Sequence, residues 1–289
     1  MKTKAFAKIN LNLHIHPKKI DDQFTPLTLI NHQINIYDTL EFINQSKKIE
    51  LICCPKNILP QNEDNLVYQA ALKLKEFAQN PSLGVKIILT KNIPITAGMA
   101  GGSSDAAATL KSLTKLWHLK ISQLKLLEIA SSLGKDVPYF LSSNLCKLTR
   151  YGDVPQKLKL KLPRLYLVIV YPNNSQKPST GWMFQHLDFS LVNKNVSKST
   201  LLLKAIKSGH KNEILDNLHN DFETIVFKYF PETQKIVDDL LLQGAQKTLL
   251  SGSGLGIIGF FKSQSLATPA YINLKKSYPK IFLTSSRAH

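Results

Sequence analysis

Three things are scarce in this sequence. Cysteine occurs only at Cys53, Cys54 and Cys146. Two of these are adjacent, a poor geometry for an ordinary disulfide, so a disulfide framework is excluded and a reducing compartment is implied. Long apolar runs are missing as well. The longest, "LYLVIVYP" around Val168, is far too short to span a bilayer. The opening "MKTKAFAKINLNLHIHP" lacks the apolar centre of a signal peptide. The expectation is a soluble cytoplasmic protein with no membrane partner. Acidic residues are the third shortage: 20 Asp and Glu stand against 37 Lys and Arg, a formal net charge of +17. That balance favours anionic partners, whether nucleic acid, acidic lipid or a phosphorylated small molecule. Residues 157–211 concentrate it, with ten Lys and Arg and only Asp188 acidic. They carry no aromatic-interleaved recognition motif, so nucleic acid is not an expected partner.

Apolar content is ordinary, and 289 residues suffice for one large domain or two modest ones. Ile9, Leu11, Leu13 and Ile15 alternate with Asn10, Asn12, His14 and His16, which predicts a strand with one polar face. Lys8 shares that polar parity. His14 and His16 lie two apart on it. No third ligand stands at metal-motif spacing, so they read as a solvated strand edge. "DTLEFI" from Asp38 and "GVKIILTKNIP" predict further strands. "EDNLVYQAALKLKEFAQ" predicts a helix opening at Asp64 or Asn65, and "ISQLKLLEIASSLG" one stopped by Gly134. The pattern changes around Tyr151–Pro155, where "KLKLKLPRLYLVIVYP" alternates and then becomes a buried strand. A domain boundary near Gly152 gives units 1–152 and 153–289.

Glycine is sparse overall but crowded in "PITAGMAGGSSDAAATL", Pro94–Leu110. A strand precedes it and a helix, expected to begin near Ser104, follows. The first turn of a helix has unpaired N–H groups and a partial positive charge, and glycine lets a ligand approach the backbone closely. The stretch therefore reads as a phosphate cradle built on Gly98, Gly101 and Gly102. No lysine precedes its serines, so it is not a Walker A loop. The G-x-G-x-x-G at Gly254, Gly256 and Gly259 continues as a strand, which excludes a dinucleotide fingerprint. Asp136, in "LGKDVPYF", reads either as a turn residue bonding its own backbone or as an acid–base group.

"PITAGMAGGSSDAA" resembles the second motif of the GHMP kinases. The doubled glycine before Ser-Ser is similar to the branch that phosphorylates the 2-hydroxyl of 4-diphosphocytidyl-2-C-methyl-D-erythritol in non-mevalonate isoprenoid synthesis. "AKINLNLHI", "EDNLVYQAALKL", "LGKDVPYF" and "LLSGSGLGIIGFF" match that family's other motifs in order. The pattern differs at Ala100 and Arg150, where it has glycine, and at Lys135, where it has a small residue. It differs again at Leu250, which replaces a methionine, and at Gln23, Phe24 and Thr25 in "DQFT", which replace glycine, tyrosine and histidine.

The resemblance implies an α+β fold of two domains. The first is like the second domain of ribosomal protein S5, the other is an α/β sandwich, and the final residues pack back on the first. It implies ATP as phosphoryl donor, Mg²⁺, and a monomer or weak homodimer. Catalysis falls to Asp136 and Lys8. The loop Pro94, Ile95, Thr96, Ala97, Gly98, Met99, Ala100, Gly101, Gly102, Ser103 and Ser104 is assigned to ATP, with Asn65, Leu66 and Lys91 towards the adenine. Ser104 is the candidate magnesium contact. Asn10, Phe24, Thr25 and Phe184 are assigned to the substrate. Kinases for homoserine or mevalonate are the alternatives within the superfamily; a basic nucleic-acid-binding protein is the alternative outside it.

Overall fold

The computed structural model describes residues 1–289 except Ile20, Gln23, Thr96, Gln176 and His289. Two sheets organise the described residues. The first contains β1 (Lys2–Ile15), β2 (Leu27–Ser46), β3 (Ile49–Cys54), β4 (Leu83–Thr90), β5 (Leu145–Thr149) and β6 (Val154–Lys157). β7 (Tyr166–Val170) belongs to the second sheet, and the short β8 (His219–Asn220) returns to the first. The first sheet runs β3-β4-β2-β1-β8, with β5 on β2 and β6 on β5. β9 (Lys247–Leu250), β10 (Ile257–Phe261) and β11 (Ile281–Ser285) complete a second sheet in the order β11-β7-β10-β9.

The helices over the first sheet are α1 (Leu66–Ala78), α2 (Gly101–Leu116), α3 (Gln123–Leu133) and α4 (Val137–Ser142). α5 (Thr180–Gln185), α6 (Ser197–Ser208), α7 (Lys211–Asp216), α8 (Glu223–Tyr229), α9 (Glu232–Leu242) and α10 (Gln264–Leu274) follow. α9 and α10 cover the second sheet. α1 opens as expected: the Asn65 side chain accepts from Val67 N at 2.9 Å. α3 ends at Gly134. α2 starts at Gly101, earlier than expected, because Ser104 N already donates to Ala100 O at 3.0 Å.

Two local expectations change. The alternating stretch before Tyr166 is not continuous strand, since only Val154–Lys157 pairs, with β5. Proline at 155 and 163 removes backbone donors there. The polar face of β1 is not solvated either. Asn10, Asn12 and His14 are all buried, because the second half of the chain lies over them. Ser199 Oγ donates to Asn12 Oδ1 at 2.7 Å, and β8 pairs with β1 in parallel. A strand covered on both faces keeps polar side chains only where they find partners.

β6 and β8 lie beyond Gly152 in sequence yet hydrogen-bond into the first sheet. The C-terminal segment does the same. Ser286 bridges to Ile34, and Arg287 N donates to Gln33 O at 2.9 Å. The first sheet's strands and the second sheet's loops thereby face each other across a cleft.

Candidate active site

The cleft has a volume of about 940 Å³. One wall is the loop before α2: Pro94, Ile95, Ala97, Gly98 and Ala100, then Gly101, Gly102 and Ser103 of the first helical turn. Lys8, Leu66, Lys91 and Asp136 line it too. The opposite wall includes Lys177, Ser179, Thr180 and Ser253. Most of the residues singled out in the sequence thus converge. Asn65 and Met99 are buried beside the cleft, and Thr96 lies outside the described residues.

The glycines of this loop have different jobs. Gly98 has φ +74°, and a Cβ there would sit 2.4 Å from Ser251 O. It is needed so that the two glycine turns can pack backbone to backbone. A Cβ on Gly102 would meet only Leu66 Cδ1, at 3.7 Å. Gly102 keeps open the space in front of the uncapped first turn of α2. Gly102→Ala should therefore fold with unchanged or slightly raised thermal stability, since Ala is the better helix former by about 1 kcal/mol. It should raise KM for ATP at least about tenfold, the loss of one charge-assisted backbone contact. Gly98→Ala should instead lower the unfolding temperature. Unchanged ATP kinetics in a folded Gly102→Ala enzyme would count against the cradle.

Lys8 is buried, and its Nζ donates to Asn10 Oδ1 at 2.8 Å. Asn10 Nδ2 donates onward to Asn31 Oδ1 at 2.6 Å. Asn10 therefore orients Lys8. Burial pushes the Lys8 ammonium below the usual lysine range, and the nearby Asp136 carboxylate pulls it back up. Asp136 stands at the N-terminal end of α4, where Pro138 follows in the first turn.

Ser104 does not fit the role of magnesium contact. Its hydroxyl is buried and donates to Phe6 O at 2.7 Å. Ser103 faces the cleft in its place. The assignment of Lys91 to the adenine is also altered. Its ammonium is held between Asp38 and Asp105 Oδ2, the latter at 2.8 Å, and all three side chains are buried. Only the rest of the side chain is left for the cleft. Burial pushes the Asp105 carboxyl well up, against the pull of Lys91. Asp105 thus turns inward, away from any phosphate.

Lys177 is the residue that sequence reasoning passed over. Its Nζ donates to Ser253 Oγ at 2.9 Å and to Thr180 Oγ1 at 3.0 Å. Burial, and then the charge of Lys8, push its pKa down to about 8. Two lysines thus face one cleft, which is repulsive unless an anion lies between them.

Phe24 is exposed, packs edge-on against Tyr151 at 5.6 Å, and has Lys135 Nζ 4.5 Å from its ring centre. Lys135 adjoins Asp136 in sequence, but Phe24, Thr25 and Phe184 are not among the residues that line the cleft. Phe184, on α5, packs edge-on against Phe222 at 5.1 Å. The two phenylalanines each have their own ring partner. Two features suit a magnesium nucleotide. One is the open cradle at Gly102; the other is a pair of hard oxygen donors on the wall, the Ser103 hydroxyl and the Asp136 carboxylate.

Comparison with known proteins agrees with this arrangement. Residues 65–144 match the GHMP kinases N terminal domain. A 4-diphosphocytidyl-2-C-methyl-D-erythritol kinase of Syntrophus aciditrophicus (strain SB) is 35% identical, with 96% of this chain and 95% of that protein covered. The kinase of the same name from Pelodictyon phaeoclathratiforme (strain DSM 5477 / BU-1) is 38% identical over 96% and 94%. A crystal structure of 4-(cytidine 5'-diphospho)-2C-methyl-D-erythritol kinase superposes with a TM-score of 0.85 at 26% identity, both chains fully covered. Homoserine kinase from Cytophaga hutchinsonii shares the fold, with a TM-score of 0.78 at 19% identity over 100% of this chain and 94% of that one. Identities of 35% and 38% over 96% of the chain, with the matching N-terminal domain, place the chain in the family of 4-diphosphocytidyl-2-C-methyl-D-erythritol kinases, within the GHMP kinases.

Proposed function

We propose that the chain transfers the γ-phosphoryl group of ATP to the 2-hydroxyl of 4-diphosphocytidyl-2-C-methyl-D-erythritol, a step of non-mevalonate isoprenoid precursor synthesis. The observation that carries this reading is the convergence of Lys8, Asp136 and the uncapped start of α2 on one cleft. The N–H groups at Gly101, Gly102 and Ser103 hold the phosphates. Asp136 accepts the proton of the attacking hydroxyl as its oxygen bonds the γ-phosphorus and the bond to the β–γ bridging oxygen breaks. Lys8, oriented by Asn10, faces the Asp136 carboxylate with a positive charge and offsets charge on the transferring group. Ser103 and Asp136 would hold magnesium, which supplies charge neutralisation on the phosphates when bound. Phe24, Thr25 and Phe184 take the cytidine end. Residues 1–152 and 153–289 are the units we assign to the two sides, with the C-terminal segment returning to the first.

A phosphorylation assay with ATP and Mg²⁺ tests the reading against a panel: the cytidine substrate, homoserine and mevalonate. Turnover confined to the cytidine substrate is expected. Equal or better turnover of homoserine or mevalonate would replace the substrate assignment while keeping the kinase.

Lys177 gives this reading a pH signature. Its protonated form is the one that binds phosphate, and its pKa in the free protein is about 8. Affinity for ATP should therefore hold below pH 8 and fall as pH rises through it. Lys177→Met should raise KM for ATP by about 10–100-fold near neutral pH, the loss of hydrogen bonds to a charged group. It should also flatten that alkaline decline. An unaltered profile in the variant would remove Lys177 from the phosphate site.

A further inference from the structure

A second cluster of chemistry-bearing side chains lies away from the cleft, where β8 joins β1. His14 of β1 has no exposed surface, and neither of its ring nitrogens has a hydrogen-bond partner. Its ring stacks on that of His219, with centroids 4.7 Å apart and planes 29° from parallel. His219 Nε2 lies 2.7 Å from Asp221 Oδ1, and His14 Nδ1 lies 4.0 Å from Asp221 Oδ2. One donor atom from each of the three falls within 4.8 Å of the others. Asp221 is buried, and its Oδ2 also accepts from Ile15 N at 2.7 Å and Asn193 N at 3.2 Å. Those two bonds fix the carboxylate in place. The solvated edge expected for His14 is thus a dry pocket; His16 instead bonds Thr28 Oγ1 at 2.8 Å.

A buried imidazole with both nitrogens unsatisfied calls for an explanation, and a missing ion is one of the few available. We propose that His14, His219 and Asp221 form a site for a zinc-class divalent cation that fastens the strand carrying Lys8 to the second half of the chain. Two imidazoles and one carboxylate suit Zn²⁺, or Co²⁺ in its place, and are a poor set for Mg²⁺ or Ca²⁺. Ligands about 2.0–2.2 Å from a tetrahedral metal lie roughly 3.3 Å from one another. The present separations straddle that value, so side-chain shifts of about 1 Å would seat the ion. A water molecule would complete four-coordination.

His219 on β8 and Asp221 in the turn that follows it bring their side chains together, 2.7 Å apart. His14 comes from the other end of the chain, and the ion would close a very long loop. Asp221 supplies the anionic charge; Lys198 and His16 act on His14 from farther away and oppose a cation. The site is distinct from phosphoryl transfer. Six residues of extended strand separate His14 from Lys8, roughly 20 Å.

The test uses the full chain stripped with a chelator. Zn²⁺ titration followed by calorimetry should give one site per chain and a raised unfolding temperature. Co²⁺ substitution should give the intense visible bands of four-coordinate cobalt. His14→Phe keeps a stacking ring and removes both donors; it should weaken Zn²⁺ binding at least about a hundredfold and abolish the visible bands. His219→Asn should do the same, and it alone decides the matter if His14→Phe does not fold. Zinc binding that survives either substitution in folded protein overturns the assignment. So does wild-type protein that takes up no Zn²⁺, or a weak six-coordinate cobalt spectrum.

Discussion

Replacement of Asp136 by Asn is expected to lower turnover about 10²–10⁴-fold, the usual contribution of a positioned proton acceptor. Affinity for ATP should fall far less than turnover, because α2 and Lys177 hold the phosphates and Ser103 remains as a magnesium contact. The amide keeps the shape of the carboxylate but cannot take the hydroxyl proton. Lys8→Ala should also lower turnover. The double variant should be little worse than the worse single one, because residues that act as one unit do not add. Asn10→Ala separates positioning from chemistry. It removes the acceptor that Lys8 uses at 2.8 Å, so its effect should fall on turnover far more than on KM for ATP. Near-normal turnover in Asp136→Asn, with the protein folded and binding ATP, would end the assignment.

Much of this site was legible in the sequence, because its parts are local. A strand, a glycine turn and a helix start are contiguous residues, and each has a signature in residue type. Even the exceptions are informative. Ala100 and Arg150, where the family pattern has glycine, adopt φ of 53° and 63°. Both lie in the left-handed region that glycine favours. What the sequence hid is what depends on distant contacts. Alternation in β1 correctly gave the strand but not the cover over its polar face, which comes from residues some 200 positions later. For the same reason His219 and Asp221, the two residues grouped with His14, could not be found by spacing. Ser104 was expected in the cleft, yet its hydroxyl and the Asp105 carboxylate next to it are both buried. One helical turn decides between facing phosphate and facing the sheet, and the helix begins earlier than the sequence suggested. Lys177 had no motif around it. Its meaning comes from its surroundings, with Ser253 beside it and Lys8 across the cleft.

Lys91→Met is expected to destabilise the fold by about 3–5 kcal/mol, the cost of removing one partner from a buried charge cluster. For a chain of this size that is a fall in unfolding temperature on the order of 10 °C. Asp38 and Asp105 are both buried, and Lys91 is the cation between them. Asp38 Oδ1 also accepts from Ile93 N at 2.8 Å, which ties the cluster to the segment leading into the glycine loop. Without Lys91 two carboxyls would remain in a dry site with little to balance them. The effect has a pH signature. Burial already raises the Asp105 carboxyl above its usual range, so the folded state holds that proton longer than the unfolded one. Stability from such a group is present at low pH and is lost as pH rises from the unfolded value near 4 towards the folded one. Removing the lysine should raise the folded value further. The gap in unfolding temperature between wild type and Lys91→Met should therefore be small near pH 4 and widen towards neutrality. Adding Asp105→Asn should recover part of the loss, since it removes one of the stranded charges. A lysine that served mainly to contact adenine would behave differently: KM for ATP would rise, while thermal stability and its pH dependence stayed as in the wild type.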